Sequence, residues 1–251
     1  MNKTRSKIYF ASDMHLGMHP LTESREREKV IVQWLERIEA DAKALWLVGD
    51  IFDYWFEYKK VVPRGFIRFI GKLAHLADQG VEINIFPGNH DVWYFDYFTE
   101  EIGARIFHKP TIIKMEGKTF YISHGDGLTD KDWVYRSIKA MFKSKTLQWL
   151  YARLHPNAST AFAQWWSKKS RYSKDLALSF KGEEKEEQIL FAKKMAKEKP
   201  EIDYFIFGHR HVTYDVAVGS NARAICLGEW IGKNTYGVFD GEDFELKEFR
   251  S

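Results

Sequence analysis

Apolar positions along this 251-residue chain change their period in an ordered way. Lys7 to Ser12 (KIYFAS) is a short apolar run that stops at Asp13-Met14-His15-Leu16-Gly17. From Thr22 onward Val30, Ile31, Trp34, Leu35 and Ile38 recur at helical spacing, with charged residues between them. Ala44 to Val48 (ALWLV) reads as a second, buried strand, ended by Gly49-Asp50-Ile51-Phe52-Asp53. A helix over about 65–79 leads to an alternating run, Val81 to Phe86, which Pro87-Gly88 punctuates. A β-α-β-α-β order of this kind predicts a largely parallel sheet covered by helices.

Beyond residue 105 the texture differs. Thr111 to Met115 and Lys118 to Ser123 are two short strands around Glu116-Gly117, a hairpin pattern, and the second ends at His124-Gly125-Asp126. Residues from about Asp132 to Lys199 lack strand signals and read as helical. Strands resume at Tyr204 to Phe207, which ends in Gly208-His209-Arg210-His211, and continue at 212–218, 222–227, 235–240 and 244–249. No internal repeat or low-complexity linker divides the chain. The expectation is one α/β domain over 1–251 with a helical insertion at about 132–199.

Composition narrows this. A hydrophobic fraction of 45% leaves ample material for a core, and the net charge of +3 is too small to imply a nucleic-acid partner by itself. The charge is regional: between Lys131 and Lys181 stand eleven Lys or Arg against two Asp, a local balance of +9, so the rest of the chain is acidic. Cys226 is the sole cysteine, which excludes an intrachain disulfide and makes a reducing compartment the default. No apolar run approaches the roughly 18 residues that span a bilayer. Residues 1–6 lead directly into a strand and not into a signal peptide. A cytoplasmic protein is expected, with attachment to a membrane surface still allowed.

Five strand ends carry ligand-type residues: Asp13 and His15, Asp50, Asn89 and His90, His124, and His209 with His211. A single strand-end His is more often a satisfied polar residue than a ligand, and Asp after Gly is usually turn chemistry. That ordinary explanation would have to hold independently at all five, each at the C-terminal end of an apolar run, where open α/β sheets bind ligands. The donors are carboxylate, carboxamide and imidazole without thiolate, a set that suits Mn, Fe or Zn. These donors exceed what one tetrahedral ion needs, so two ions sharing a carboxylate are expected.

Asp13-x-His15, Gly49-Asp50-x-x-Asp53, Gly88-Asn89-His90-Asp91, His124-Gly125-Asp126 and Gly208-His209-Arg210-His211 resemble the five ordered motifs of the calcineurin-like metallophosphoesterases. The resemblance implies a four-layer α/β/β/α sandwich with two divalent ions, most often Mn, between its sheets. It implies that Asp13, His15 and His211 hold one ion and Asn89, His124 and His209 the other, with Asp50 bridging. His90 would protonate the leaving oxygen or stabilise developing charge, oriented by Asp53. The reaction implied is hydrolysis of a phosphate ester or anhydride by hydroxide generated at the metals.

The stretch 133–174 interleaves Trp, Tyr and Phe with Lys and Arg. Such a pattern fits an ordinary helical subdomain, an amphipathic cap meeting anionic lipid, or a single-strand nucleic-acid channel. The acidic remainder counts against the last, and no nucleic acid is expected. His124-Gly125-Asp126-Gly127-Leu128, followed by Asp132, Tyr135 and a helical insert, is similar to the UDP-2,3-diacylglucosamine pyrophosphohydrolases of lipid A biosynthesis, as is Gly49-Asp50-Ile51-Phe52-Asp53-Tyr54-Trp55. That resemblance implies cleavage of a nucleotide-lipid substrate to UMP and 2,3-diacylglucosamine 1-phosphate at the cytoplasmic face of the inner membrane. Asp132, Tyr135 and Arg171 would bind substrate. The chain departs from the branch's best-known members at His90, where they resemble one another in having Arg, and at Asp53, where they have Glu. The alternatives are a related phosphoesterase acting on another nucleotide or phospholipid, and a non-catalytic interaction module.

Overall fold

The structure, a computed structural model, describes residues 5–128, 141–172 (without the side chains of 164 and 166–172) and 179–250. Its first sheet begins with β1 (Lys7–Ala11), β2 (Ala42–Val48) and β3 (Glu82–Phe86), joined by α1 (Leu21–Ile38) and α2 (Ile67–Asp78). These three strands run parallel, with Phe10 opposite Trp46 and Val48 opposite Phe86. After α3 (Tyr97–Ile102) comes the short edge strand β4 (Arg105–Ile106). β5 (Thr111–Met115) and β6 (Lys118–Ile122) form the expected hairpin, and Glu116 and Gly117 at its turn both have positive φ, as a tight two-residue turn requires.

The described chain continues with α4 (Lys145–Tyr151), α5 (Pro156–Tyr172) and α6 (Glu187–Glu198), then β7 (Tyr204–Phe207), β8 (Thr213–Ala217), β9 (Arg223–Leu227), β10 (Thr235–Phe239) and β11 (Phe244–Glu248). The first sheet has the order β11-β10-β1-β2-β3-β4 and the second β5-β6-β7-β9-β8. The last two strands therefore leave the second sheet and return to the first, β10 lying antiparallel to β1.

Alternation along the strands sorts their side chains into layers. Tyr9 and Ala11 of β1, with Leu45 and Leu47 of β2, face the helices, where Ile31, Trp34, Leu35 and Ile38 of α1 and Phe69, Leu73 and Leu76 of α2 meet them. The opposite faces of the same strands carry Phe10, Trp46, Val48 and Phe86, which pack against Phe120, Ile122, Ile206 and Ile225 of the second sheet. The second sheet's outer face, with Tyr121, Phe205, Phe207 and Cys226, is covered by Ile189 and Ala192 of α6. Strands buried on both faces read as continuous apolar runs, which is why KIYFA and ALWLV show no clean alternation. The result is the expected α/β/β/α sandwich. The last helix of the stretch expected as an insertion is thus also the sandwich's fourth layer.

Helices α4 and α5 are moored to the loops that follow β2 and β3. Tyr151 packs on Phe56 and Trp93, and its hydroxyl lies 3.2 Å from that of Tyr54. Trp93 donates its indole N–H to the Phe142 carbonyl, and Tyr58 bonds Ser159. Trp149, Phe162 and Trp165 keep exposed rings.

Candidate metal centre

Three of the five strand ends, those after β1, β2 and β7, turn sharply where they leave their sheets. Of the eight non-glycine residues with positive φ among the described residues, five are Asp13, His15, Asp50, His209 and His211. Such conformations cost on the order of 1–3 kcal/mol apiece and concentrate at functional sites. Two glycines let the turning chains meet. A Cβ at Gly88 would run into Asp50, and one at Gly208 into Ser12 and Asp13.

Two donor groups result. In the first, His211 Nε2 lies 3.2 Å from Asp13 Oδ1 and 3.1 Å from His15 Nε2. In the second, His124 Nε2 lies 3.4 Å from Asn89 Oδ1, and His209 closes the group with its ring centroid 5.2 Å from that of His124. Asp50 Oδ2 stands between them, 3.4 Å from His124 Nε2 and 3.7 Å from His15 Nε2. All seven residues expected as ligands therefore converge at one end of the sandwich.

The surroundings fix how these groups point. His124 Nδ1 lies 2.8 Å from the Val48 carbonyl, which holds its proton and leaves Nε2 turned to Asp50 and Asn89. Asp13 Oδ2 accepts from Ser12 Oγ at 2.7 Å and from the His209 backbone N–H at 2.8 Å. Arg27 donates to the His15 carbonyl at 2.9 Å. Asp53 Oδ1 lies 3.3 Å from His15 Nδ1 and 3.6 Å from His90 Nδ1, and the His90 ring stands edge-on to His15 at 4.9 Å. Asp53 was expected to serve His90, and it serves His15 as well.

Burial works to raise the Asp50 carboxyl, but the imidazoles of His124, His90 and His15 hold it well below the usual carboxylate range. Burial likewise opposes protonation of His124, yet Asp50 and Asp13 outweigh it and push the ring up to about 10. Asp13 raises His211 in the same way against its burial. Burial lowers His15, and burial beside His124 takes His209 down to about 4. The centre thus pairs ionised carboxylates with two histidines that favour the proton and two that keep a free lone pair.

A divalent cation fits these donors. Asp13 Oδ1 is fully buried and accepts no hydrogen bond of acceptable geometry, although His211 is close. Donors on one small ion lie about 2.0–2.2 Å from it and hence about 3 Å from each other, the spacing of His211 to Asp13 and to His15 in the first group, where Asp13 Oδ1 and His15 Nε2 are 3.9 Å apart. Two sets of three, Asp13 with His15 and His211, and Asp50 with His124 and His209, each bring their donor atoms within 4.8 Å of one another.

One residue the sequence reading left without a role organises the whole rim. Asp91 is completely buried and accepts from the backbone N–H groups of Gly88 (2.7 Å), Asp50 (3.1 Å), Ile51 (2.8 Å) and Phe52 (3.2 Å), and from the Tyr94 hydroxyl (2.7 Å). It ties the loop after β2 to the loop after β3. Burial, with Asp50 nearby, raises its carboxyl to about 6 in spite of these donors. Its place three residues after Gly88 was a turn signal that could have revealed it. Glu57 does similar work, accepting from the backbone of Phe95, Asp96 and Tyr97. Of the residues expected to bind substrate, Asp132 and Tyr135 and the side chain of Arg171 lie outside the described residues.

The chain resembles known proteins over nearly its whole length. It is 42% identical to a UDP-2,3-diacylglucosamine hydrolase of Porphyromonas gingivalis, over 97% of each chain. A protein of the same name from Actinobacillus succinogenes is 26% identical over 89% of this chain and 92% of its own. Among solved structures, a phosphoesterase from E. coli aligns with 95% of this chain and 90% of its own at 14% identity, with a TM-score of 0.45. The calcineurin-like phosphoesterase family model matches residues 6–213, the span that holds all five strand ends. The chain belongs to the calcineurin-like phosphoesterase family of metal-dependent hydrolases.

Proposed function

We propose that this protein hydrolyses the pyrophosphate of UDP-2,3-diacylglucosamine, releasing UMP and 2,3-diacylglucosamine 1-phosphate. The observation that carries the reaction type is the position of Asp50 Oδ2 between two donor groups. The near full-length similarity to the Porphyromonas hydrolase supports the substrate.

In this reading Asp13, His15 and His211 hold one divalent ion and Asn89, His124 and His209 the other, with Asp50 shared. Manganese is the ion we favour from the family resemblance, and the nitrogen and oxygen donors without thiolate are compatible with it, as they are with Fe or Zn. When bound, two such ions acidify water and steady the attacking and leaving oxygens of an in-line displacement at phosphorus. Asp53 keeps the proton on His15 Nδ1, so that Nε2 faces the centre. His90, beside Asp53 and only partly buried, delivers a proton to the leaving oxygen. Asp132, Tyr135 and Arg171 are proposed to hold the nucleotide-sugar part, and the exposed rings of α4 and α5 to meet acyl chains.

We place the protein in the cytoplasm, on the inner face of the membrane that supplies such a lipid. No helix among the described residues is long and apolar enough to cross a membrane. The His90 and Asp53 pair favours one competing reading, a related phosphoesterase of another nucleotide or phospholipid. Incubation with UDP-2,3-diacylglucosamine and Mn decides between them. UMP is expected; its absence alongside turnover of a generic phosphodiester would leave the competing reading.

A further inference from the structure

We infer that the loop between β2 and α2, with the start of α1, is a docking surface for an anionic lipid bilayer, on the core of the protein beside the stretch 131–181, whose His155, Pro156 and Asn157 line the other side of the adjoining cavity. The inference rests on the lipid-linked substrate proposed above.

Ile67 is 79% exposed, the most exposed of the large apolar side chains among the described residues, and Val61 (50%) and Leu21 (42%) accompany it. A single exposed aliphatic is ordinary on any protein surface. These three belong to one surface, however. A cavity lined by Leu21, Arg25, Arg64, Phe66, Ile67 and Arg68 adjoins a second of about 530 Å³ that Val61 lines, and Arg64 and Phe66 border both.

The loop holds this shape because its ends are fixed. The Phe66 ring packs on Phe52 at 4.9 Å, and Glu28, buried in α1, accepts from the Arg68 and Phe69 backbone N–H groups at 3.0 and 3.2 Å. Glu28 so occupies the start of α2, and any attraction for anions comes from side chains. Gly65 and Phe66 both have positive φ, which turns the chain outward immediately before Ile67.

The charge says what covers the surface. Arg25, Lys59, Lys60, Arg64 and Arg68 are all exposed, and none makes an ion pair among the described residues. The nearby acids are Glu23, Glu26, which pairs with Lys29, and the buried Glu28. Aliphatic side chains ringed by unpaired cations complement an anionic interface. The 530 Å³ cavity runs inward from Val61, Arg64 and Phe66 to Tyr54 and Asp53. A lipid drawn from a bilayer at this face would meet the catalytic rim without crossing open water.

The test uses full-length, Mn-loaded protein and sedimentation with vesicles of phosphatidylcholine, alone or with phosphatidylglycerol. Binding should require phosphatidylglycerol and weaken with salt. Each cation near an anionic membrane contributes about fivefold to binding, so Lys59→Gln with Lys60→Gln should weaken it about 25-fold. Ile67→Gln should weaken it further. These residues lie off the metal centre, so turnover of detergent-solubilised UDP-2,3-diacylglucosamine should stay within about twofold while turnover of vesicle-borne substrate falls with binding. Vesicle binding that ignores these substitutions, or an equal loss in detergent, overturns the proposal. So does concentration-dependent self-association that the substitutions abolish without changing vesicle binding, which would make the face a contact between copies. Wild-type protein that binds vesicles as described but releases no UMP in detergent would instead refute the substrate assignment.

Discussion

Asp53 Oδ1 lies 3.3 Å from Nδ1 of His15, whose opposite nitrogen faces His211 at 3.1 Å. The same carboxylate is 3.6 Å from His90. One acid therefore sets the tautomer of a proposed ligand and orients a proposed proton donor, and the two duties separate by mutation.

Asp53→Asn should weaken binding of the ion at His15 about 10–100-fold, the usual effect of losing a ligand's carboxylate partner. His90→Ala should leave two ions bound and lower kcat by roughly 10²–10⁴. Metal analysis and steady-state kinetics on both variants check this. Loss of metal from His90→Ala would contradict the division of labour.

The order of the five strand ends that carry ligand-type residues was legible in the sequence because each follows an apolar run and the donor types recur. Their convergence was legible only through the number of donors and the family resemblance, since it depends on β6 and β7 lying in a second sheet whose carboxyl ends meet those of the first. The return of β10 and β11 to the first sheet left no local trace either, because antiparallel partners leave the same apolar pattern wherever they pair. Asp91 was visible only as part of a motif. Its importance comes from five donors, three of them about forty residues away in sequence, which no local window contains.

Asp91→Ala strands the Gly88, Asp50, Ile51 and Phe52 N–H groups in the interior. At about 1–3 kcal/mol for each buried donor left unpaired, offset in part by removal of the carboxylate's own burial cost, a loss of at least ~3 kcal/mol is expected. Asp91→Asn keeps an acceptor oxygen and should lose less. Urea unfolding measures both, and a loss under ~1 kcal/mol for the alanine variant would contradict the clamp.

Proton release should accompany metal binding. In protein stripped of divalent ions, Asp50 and Asp13 overcome burial to push His124 to about 10, so at pH 7 it is protonated. Ligation requires the neutral ring, and on the order of one proton should leave for His124 alone. Calorimetric titration with Mn in buffers of different ionisation enthalpy reads this directly. Heats independent of buffer would contradict the assignment of His124 as a ligand.

Arg210, between His209 and His211, forms two hydrogen bonds to Glu186, at 3.1 and 3.2 Å. Burial works to raise the Glu186 carboxyl, and the bonds from Arg210 and the Lys181 N–H outweigh it, holding it below its usual value of 4.5. A depressed carboxyl in the folded state stabilises the protein above pH 4.5, and that stability is lost as pH falls through the lowered value. Thermal unfolding of wild type and Glu186→Gln should differ most near neutrality, draw together as pH falls below 4.5 and converge below the lowered value. A gap that grows in acid would contradict the sign.

The most direct measurement is mass spectrometry of the products formed from UDP-2,3-diacylglucosamine and Mn in ¹⁸O-labelled water. The predicted result is UMP and 2,3-diacylglucosamine 1-phosphate, with one labelled oxygen on one of the two new phosphates. UDP with free diacylglucosamine, or unchanged substrate beside a fully metallated protein, would contradict it.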